Sequence, residues 1–442
     1  MAPIFRPAST FNNFKSLFQR RYSKAVFNPF QPHEHRPQAF EIPMDLEESI
    51  INQTHVSTTL ATRLLSNKFP NSNVVFSPLS IHVVLSILAA GCKGPTQDQL
   101  LRFLKANTAA DLNSLYSWLV PLIFADGNPN GGPRLSAANG VWVDKTLSLK
   151  PSFKQVLDNA YKAACKQVDF RNNADAVANE VNLWAEKHTN GVIKHVLSAN
   201  AINNSLTRLI FANAVYFKGA WSQKFYKEET KKFDFHLVNG SKVRVPFMTS
   251  MEKQFVDQYD GFKVLGLPYF QGQDKRQFTA YIFLPHAKDG LRSLVKRISS
   301  TPDFIDCHIP CQKIDIRKFL IPKFKISIGF EASDVLMKLG LILPFTSAGD
   351  TTEMFDLRAG HEPIKVLSIH HKSFVEVNEE GTEAAAVSVV SMGHMSSRRI
   401  VKNNYVDFVA DHPFLFVIRE DVTGVVLFMG QVTDPSVGVN NT

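Results

Sequence analysis

Val377-Asn-Glu-Glu-Gly-Thr-Glu-Ala-Ala-Ala386 is the stretch on which the reading of this 442-residue chain turns. It follows an apolar run, Lys365 to Val377, whose alternation fits a strand. Glu379-Glu380-Gly381 then reads as an acidic, flexible exit, and Thr382-Glu383-Ala384-Ala385-Ala386 is small and soft. Taken alone, Glu-Ala-Ala-Ala favours a helix, so a short surface helix or a linker is one reading. The continuation Val387-Ser-Val-Val-Ser-Met-Gly-His-Met-Ser-Ser397 argues against a simple helix, because β-branched residues replace alanine and Gly393 breaks the run. As an extended chain of period two, Thr382, Ala384, Ala386, Ser388, Val390 and Met392 share one uncharged face. Glu383, Ala385, Val387, Val389, Ser391 and Gly393 share the other, and a one-residue slip would bury Glu383. The segment is chemically fit both to lie exposed and to enter a sheet.

Asn378-Glu-Glu-Gly-Thr-Glu-Ala-Ala-Ala386 resembles the reactive-loop hinge of the serpins. Asp407-Phe-Val-Ala-Asp-His-Pro-Phe-Leu-Phe416 and Gly424-Val-Val-Leu-Phe-Met-Gly-Gln-Val432 resemble the C-terminal strands of that family, in wording close to plant serpins. Recognisable segments run in family order from about Met44 to Pro435. The resemblance implies an α+β serpin fold, with about nine helices around three β-sheets and an exposed reactive-centre loop over residues 379–405. It divides the chain into an N-terminal extension (1–43), a single domain (44–436) and a C-terminal tail (437–442).

Composition agrees with one large domain. An apolar fraction of 44% with 35 Phe is ample for a core without disulfides. Cys92, Cys165, Cys307 and Cys311 show no secretory spacing, and reduced thiols of an intracellular protein are expected. Cys307-His308-Ile-Pro-Cys311 lacks a fourth ligand and is a weak zinc signal, so neither metal nor cofactor is expected. Of the net charge of +9, five charges come from Arg6, Lys15, Arg20, Arg21 and Lys24 in the acid-free residues 1–33. The remainder is mildly basic, with no zinc finger or Lys/Arg stripe, so nucleic acid is not an expected partner.

In chain order, residues 1–43 have the profile of an organelle transit peptide, with a basic amphipathic pattern around Phe11 to Tyr22 and Arg20-Arg21-Tyr22-Ser23 resembling a mitochondrial processing site. A disordered tail on a cytosolic protein, or a start at Met44, is the alternative. Either way the expected location is intracellular: cytosol, mitochondrion or plastid. Asp45 to Ser66 is spaced as a helix with Asp45 as cap. Ser77-Pro78 opens an apolar run to Ala90 as a buried helix start. Asp126 to Pro133 is a turn-rich loop before a strand over Leu135 to Asp144, and helices are expected over Ser152 to Ala164 and Ala174 to His188. Leu209 to Trp221 reads as a long central strand with one amide, Asn213, in its middle. Strands follow at Lys242 to Met248, Phe262 to Leu267, Thr279 to Leu284 and Ile321 to Ile328, with helices at Asp289 to Ser299 and Ala332 to Leu339. No repeat and no apolar run long enough for a bilayer occurs, so no membrane is expected.

The resemblance assigns Ser77 and Ser80 as small shutter serines, Asn213 as the shutter amide bonded to His371, and Trp221 as the breach tryptophan. Each also reads as an ordinary capped, satisfied or packed core residue. Of the adjacent pair His370-His371, one is expected to point inward and the other out. No Gly-x-Ser-x-Gly, His-Glu-x-x-His or phosphate-loop motif offers catalysis, and the chain is expected not to be an enzyme.

What the sequence offers instead is the chemistry of a substrate. The resemblance implies that a target protease attacks the loop and that its acyl-enzyme is trapped when the loop enters the main sheet. Family spacing of fifteen residues from Gly381 puts the reactive bond at Met395-Ser396, while counting back from the Asp407 strand lands near Ser397, beside Arg398 and Arg399. Methionine there suits chymotrypsin-like or elastase-like endopeptidases, with papain-like enzymes also in view and trypsin-like ones favoured only by a cut at an arginine. The alternative is a non-inhibitory member that binds or chaperones, or a protease substrate only; a monomer is expected in each case.

Overall fold

Residues 40–438 are described by a computed structural model, except 203–205, 302, 357–363, 365, 367 and 383–405. Nine α-helices lie among the described residues: Glu47–Ala61 (α1), Pro78–Gly91 (α2), Gly94–Leu104 (α3), Ala109–Ile123 (α4), Pro151–Val156 (α5), Ala174–His188 (α6), Leu291–Ser300 (α7), Phe304–Cys307 (α8) and Ser333–Lys338 (α9). The start of α2 follows from Ser77, whose Oγ accepts from the Ser80 amide, and from Pro78, which has no N–H to leave unpaired. Asp45 is not the cap expected of it: α1 starts at Glu47 behind Leu46, without a side-chain cap, and continues as a π-helical stretch, Thr62–Lys68. The helix expected over Ser152 to Ala164 also changes to π-type at Leu157–Tyr161, and Ala164 already begins a strand.

Among the described residues, seventeen strands form three sheets. One, of seven strands, runs in the order Val74–Phe76 (β1), Val426–Val432 (β17), Phe414–Glu420 (β16), Phe278–Pro285 (β9), Phe262–Pro268 (β8), Gln254–Tyr259 (β7), Lys313–Ile314 (β10). A four-stranded sheet has the order Val406–Val409 (β15), Ile316–Pro322 (β11), Lys242–Met248 (β6), Lys231–His236 (β5). The third, which carries the site, orders Phe324–Glu331 (β12), Ser368–Val377 (β13), Gly381–Thr382 (β14), Leu209–Ala220 (β4), Arg134–Asp144 (β2), Ala164–Val168 (β3). The single strand expected over Ile321 to Ile328 is two strands of different sheets, parted at Lys323. Proline at 322 suits a strand end, since it cannot donate to a ladder.

Both faces of the third sheet are buried along most of its central strands β2, β4 and β13, which is why those strands read as nearly continuous apolar runs. Leu209, Phe211, Val215 and Phe217 of β4 join the main core under α2, while Ile210, Ala212, Ala214 and Tyr216 pack with Val181, Trp184 and Ala185 of α6. The two histidines of β13 obey the same alternation, but the residue expected to point out is buried as well. His371 is 1% and His370 9% exposed.

Candidate functional site

The central seam of the third sheet lies between β4 and β13, which among the described residues are joined both directly and through β14. Over Ser368 to Phe374 they pair directly and in parallel with Ile210 to Tyr216. Above Phe374 they part, and β14 fills the gap antiparallel to both, Thr382 standing opposite Val377 on one side and Gly219 on the other.

Halfway along the seam the structure brings together four of the residues singled out from the sequence. Asn213 and His371 are register partners. The Ser77 amide donates to His371 Nε2 (3.0 Å), which leaves the ring proton on Nδ1, 3.0 Å from Asn213 Oδ1. Asn213 Nδ2 donates in turn to Asn139 Oδ1 on β2 (2.6 Å). Burial lowers the His371 imidazole to about 3 and His370 to about 4, so both rings are neutral at physiological pH. Two residues on, Ser373 Oγ donates to the Val75 carbonyl (2.7 Å), a second tie from β13 to the segment that opens α2. Ser80 is buried beside them, and its Oγ finds no partner among the described residues.

At the top of the seam the expected flexible exit is a fastened turn. The amides and carbonyls of Asn378 and Gly381 bond each other (3.0 and 3.3 Å). Glu379 is buried, with ion-pair contact to Lys323 Nζ (2.9 Å) and a hydrogen bond from Thr230 Oγ1 (2.9 Å). Burial pushes the Glu379 carboxyl up, but Lys323, a backbone amide and Thr230 together outweigh it and hold the group below its usual range. Glu380 lies 3.0 Å from Lys224 and 3.4 Å from Lys227, and Lys224 chiefly lowers it. Main-chain ties complete the turn: the Trp221 amide donates to the Glu380 carbonyl and the Phe225 amide to Glu379, both 3.0 Å. Trp221 Nε1 donates to the Asn378 carbonyl (2.9 Å).

Thr382 is fully buried, its Oγ1 2.6 Å from the Tyr269 hydroxyl. Gly381 is required here: its φ is +155°, and a Cβ would collide with the Gly219 carbonyl oxygen. Of the expected hinge residues, Glu379, Glu380, Gly381 and Thr382 are placed by the structure. Glu383, Ala384, Ala385 and Ala386, and the reactive-bond candidates Met395, Ser396, Ser397, Arg398 and Arg399, lie outside the described residues.

Sequence reasoning missed Asn139, Tyr269, Lys323, Thr230 and Lys224, which come from five other parts of the chain. One signal was available: Gly219 interrupts an apolar strand, the mark of a close approach, and the Tyr269 ring lies across it. Cys307 and Cys311 are exposed, and His308 turns its Nδ1 to the Phe304 carbonyl (2.7 Å). Among the described residues no group of three or more His, Cys, Asp or Glu is disposed to hold a metal ion, and no helix is long and apolar enough to cross a membrane.

A family model described as Serpin (serine protease inhibitor) matches residues 52–435. Serpin-ZX of Arabidopsis thaliana is 54% identical over 393 residues, covering 89% of this chain and 100% of that protein. Serpin-ZXA of Oryza sativa subsp. japonica is 50% identical over 396 residues, covering 88% of this chain and 98% of its own length. Among solved structures, Arabidopsis AtSerpin1 in its native stressed conformation matches with a TM-score of 0.82 at 52% identity, over 89% of this chain and 100% of that one. A cleaved Serpin 42Da matches with a TM-score of 0.74 at 27% identity, over 88% and 99%. With the matched span running through every strand of the seam, this chain belongs to the serpin family.

Proposed function

We propose that this protein is an irreversible suicide-substrate inhibitor of serine endopeptidases, and of papain-like cysteine endopeptidases, that traps the acyl-enzyme by inserting its cleaved loop into the third sheet. The observation that carries the reading is the seam itself. Its two strands are parallel and closed on each other below Tyr216, while Gly381–Thr382 already runs antiparallel between them above. A strand continuing from Thr382 exchanges one parallel ladder for two antiparallel ones, and antiparallel pairing is slightly the more stable per residue. The fourteen residues Thr382 to Met395 reach about 46 Å when extended. Their ladder adds on the order of ten hydrogen bonds at ~1 kcal/mol net each.

The register of Thr382, extended along the proposed strand, supports a place for each side chain. Thr382 stands opposite Gly219 and Val377. Continued by twos, Ala384 meets Phe217 and Val375, Ala386 meets Val215 and Ser373, Ser388 meets Asn213 and His371, and Val390 meets Phe211 and Ile369. The uncharged face enters the main core, and a hydroxyl arrives where the Asn213–His371 bond must part. Glu383 faces the α6 side, between Lys218 and Glu376.

Chemically the inhibitor supplies a carbonyl. The target's serine or cysteine attacks the Met395 carbonyl carbon, the bond to Ser396 breaks, and the amine of Ser396 leaves with a proton from the target's acid. Insertion then carries the ester or thioester away before water reaches it. Methionine before the cut favours chymotrypsin-like and elastase-like targets; Arg398 and Arg399 nearby admit a competing trypsin-like cut. The body acts as an intracellular monomer, and residues 1–43 are an extension outside it.

Incubation with chymotrypsin, elastase, papain and trypsin, read by denaturing gel and by mass of the released peptide, tests this. A detergent-stable complex and a peptide beginning at Ser396 are expected. Only cleaved or intact chain with all four enzymes overturns the inhibitory reading in favour of a binding or substrate role.

A further inference from the structure

The Thr382 hydroxyl is hydrogen-bonded to the side chain of Tyr269, a residue just beyond the end of β8 that is packed on several sides. Its ring stacks on Trp221, with centroids 4.6 Å apart and planes at 19°, and meets Phe217 edge-on at 4.8 Å and 66°. Its amide donates to the Phe278 carbonyl (2.9 Å), and the Phe270 amide donates to the Ala220 carbonyl (2.7 Å). The ring passes over β4 at Gly219, where a Cβ would lie 2.7 Å from Tyr269 Cδ1. Packing on three sides leaves the ring one orientation, and that orientation delivers its hydroxyl to Thr382 Oγ1. Burial pushes the phenol above its usual range, so the group remains protonated and able to donate.

The other side-chain ties of the turn, from Lys323, Thr230, Lys224 and the Trp221 indole N–H, and the main-chain ties from the Trp221 and Phe225 amides, end at Asn378, Glu379 and Glu380. They hold the approach to the seam; the first residue inside it has its ladder pairs to Gly219 and Val377 and, as its side-chain hydrogen bond, Tyr269. We propose that Tyr269 is the positioning residue that docks the hinge, its hydroxyl keeping Thr382 seated between β4 and β13 before any cleavage. Insertion then starts from an occupied first position. The dihedrals of the leading pair are already fixed when the bond is cut, and the unfavourable first step of a new ladder is complete. An undocked hinge makes that step while the acyl-enzyme is open to water, and a larger share of the inhibitor is released cleaved.

The geometry stands independently of the proposed function; the kinetic consequence rests on the insertion reading, and two readouts keep them apart. Hydrogen exchange of the peptide around Gly381 and Thr382 in the intact, full-length protein tests docking. Tyr269→Phe keeps the ring and its stack, and is expected to speed exchange there by about five- to tenfold, the loss of one buried hydrogen bond. Thr382→Val is expected to match it, Tyr269→Phe/Thr382→Val to be no faster than either alone, and Thr382→Ser to exchange like the wild type, with β4 and β13 unchanged throughout. Wild-type exchange in Tyr269→Phe, or multiplicative effects in the double variant, overturns the proposal. With a protease that forms a stable complex with the wild type, Tyr269→Phe is expected to raise the number of molecules cleaved per complex about two- to fivefold at an unchanged rate of loop cleavage. An unchanged ratio beside faster exchange overturns the kinetic part alone. Absence of any complex with the wild type strikes the insertion reading and leaves docking to the exchange result.

Discussion

A single neutral imidazole closes the middle of the seam. His371 accepts from the Ser77 amide and donates to Asn213, so protonation would turn an acceptor against a donor in a site without water access. Its value of about 3 lies below the ordinary 6.5. Below pH 6.5 the unfolded chain therefore binds a proton that the folded chain refuses, and stability falls as pH falls until the folded ring titrates near 3. A histidine held this way contributes a slope approaching about 1.4 kcal/mol per pH unit. His82, also lowered to about 3, and His370, at about 4, add in the same direction. In urea titrations between pH 6 and 5, His371→Gln is expected to unfold with a pH dependence shallower than the wild type by about 1 kcal/mol per unit; equal slopes would contradict the assignment. The turn at Glu379 behaves oppositely in sign of charge: Glu379→Gln leaves Lys323 without its anion and is expected to lower stability by about 1–2 kcal/mol at pH 7, a difference that is lost as pH falls below the ordinary carboxyl value of 4.5 and through the lowered folded one. None of these partners was legible locally. His371 and Asn213 were paired in advance through the family resemblance, whereas Lys323 and Thr230 are brought to Glu379 from distant strands.

At the scale of the element, what decides behaviour is that β14 is two residues long and already antiparallel to both neighbours. The period-two pattern of the hinge makes the prediction specific. Inward positions are expected to reject charge in order of arrival: Thr382→Arg should block docking and leave a substrate, and Ser388→Arg should stall halfway, opposite Asn213 and His371. Glu383→Gln, on the α6 face, should leave inhibition within about twofold of the wild type, since a side chain on the partly solvated face exchanges little hydration. Stoichiometry titrations against the target protease separate these outcomes, and equal inhibition by all three variants would remove the register argument. Gly381→Ala is expected to resemble Thr382→Arg for a backbone reason, its methyl meeting the Gly219 carbonyl. Most strands and helices were readable from alternation and caps. The misreadings fell where tertiary contacts override them: α1 starts without the Asp45 cap, and the run through Lys323 divides between two sheets because Lys323 turns to Glu379.

On the proposed mechanism the whole molecule is a sheet held short of one strand. Its closed seam is latched by His371, Asn213 and Ser373, and the chain that would complete it is tethered at Thr382 on one side and by β15 on the other. Cutting the tether removes the constraint, so intact and loop-cleaved forms heated side by side are expected to differ by about ten degrees in Tm, the cleaved form melting higher, as about ten added hydrogen bonds imply. No rise on cleavage would refute the insertion mechanism. Residues 1–43 lie outside the matched span, and their removal is expected to leave inhibition unchanged in the same titrations. The amino-acid sequence alone determined the family, many of the longer strands and helices and the uncharged face of the hinge, because apolar period and residue size are local properties. Only the tertiary structure decided that Thr382 is already docked, that Glu379 is fastened and not free, and that Tyr269 meets the hinge. Those outcomes depend on side chains from separate strands reaching one buried point, and no pattern along a single segment records where another segment will pass.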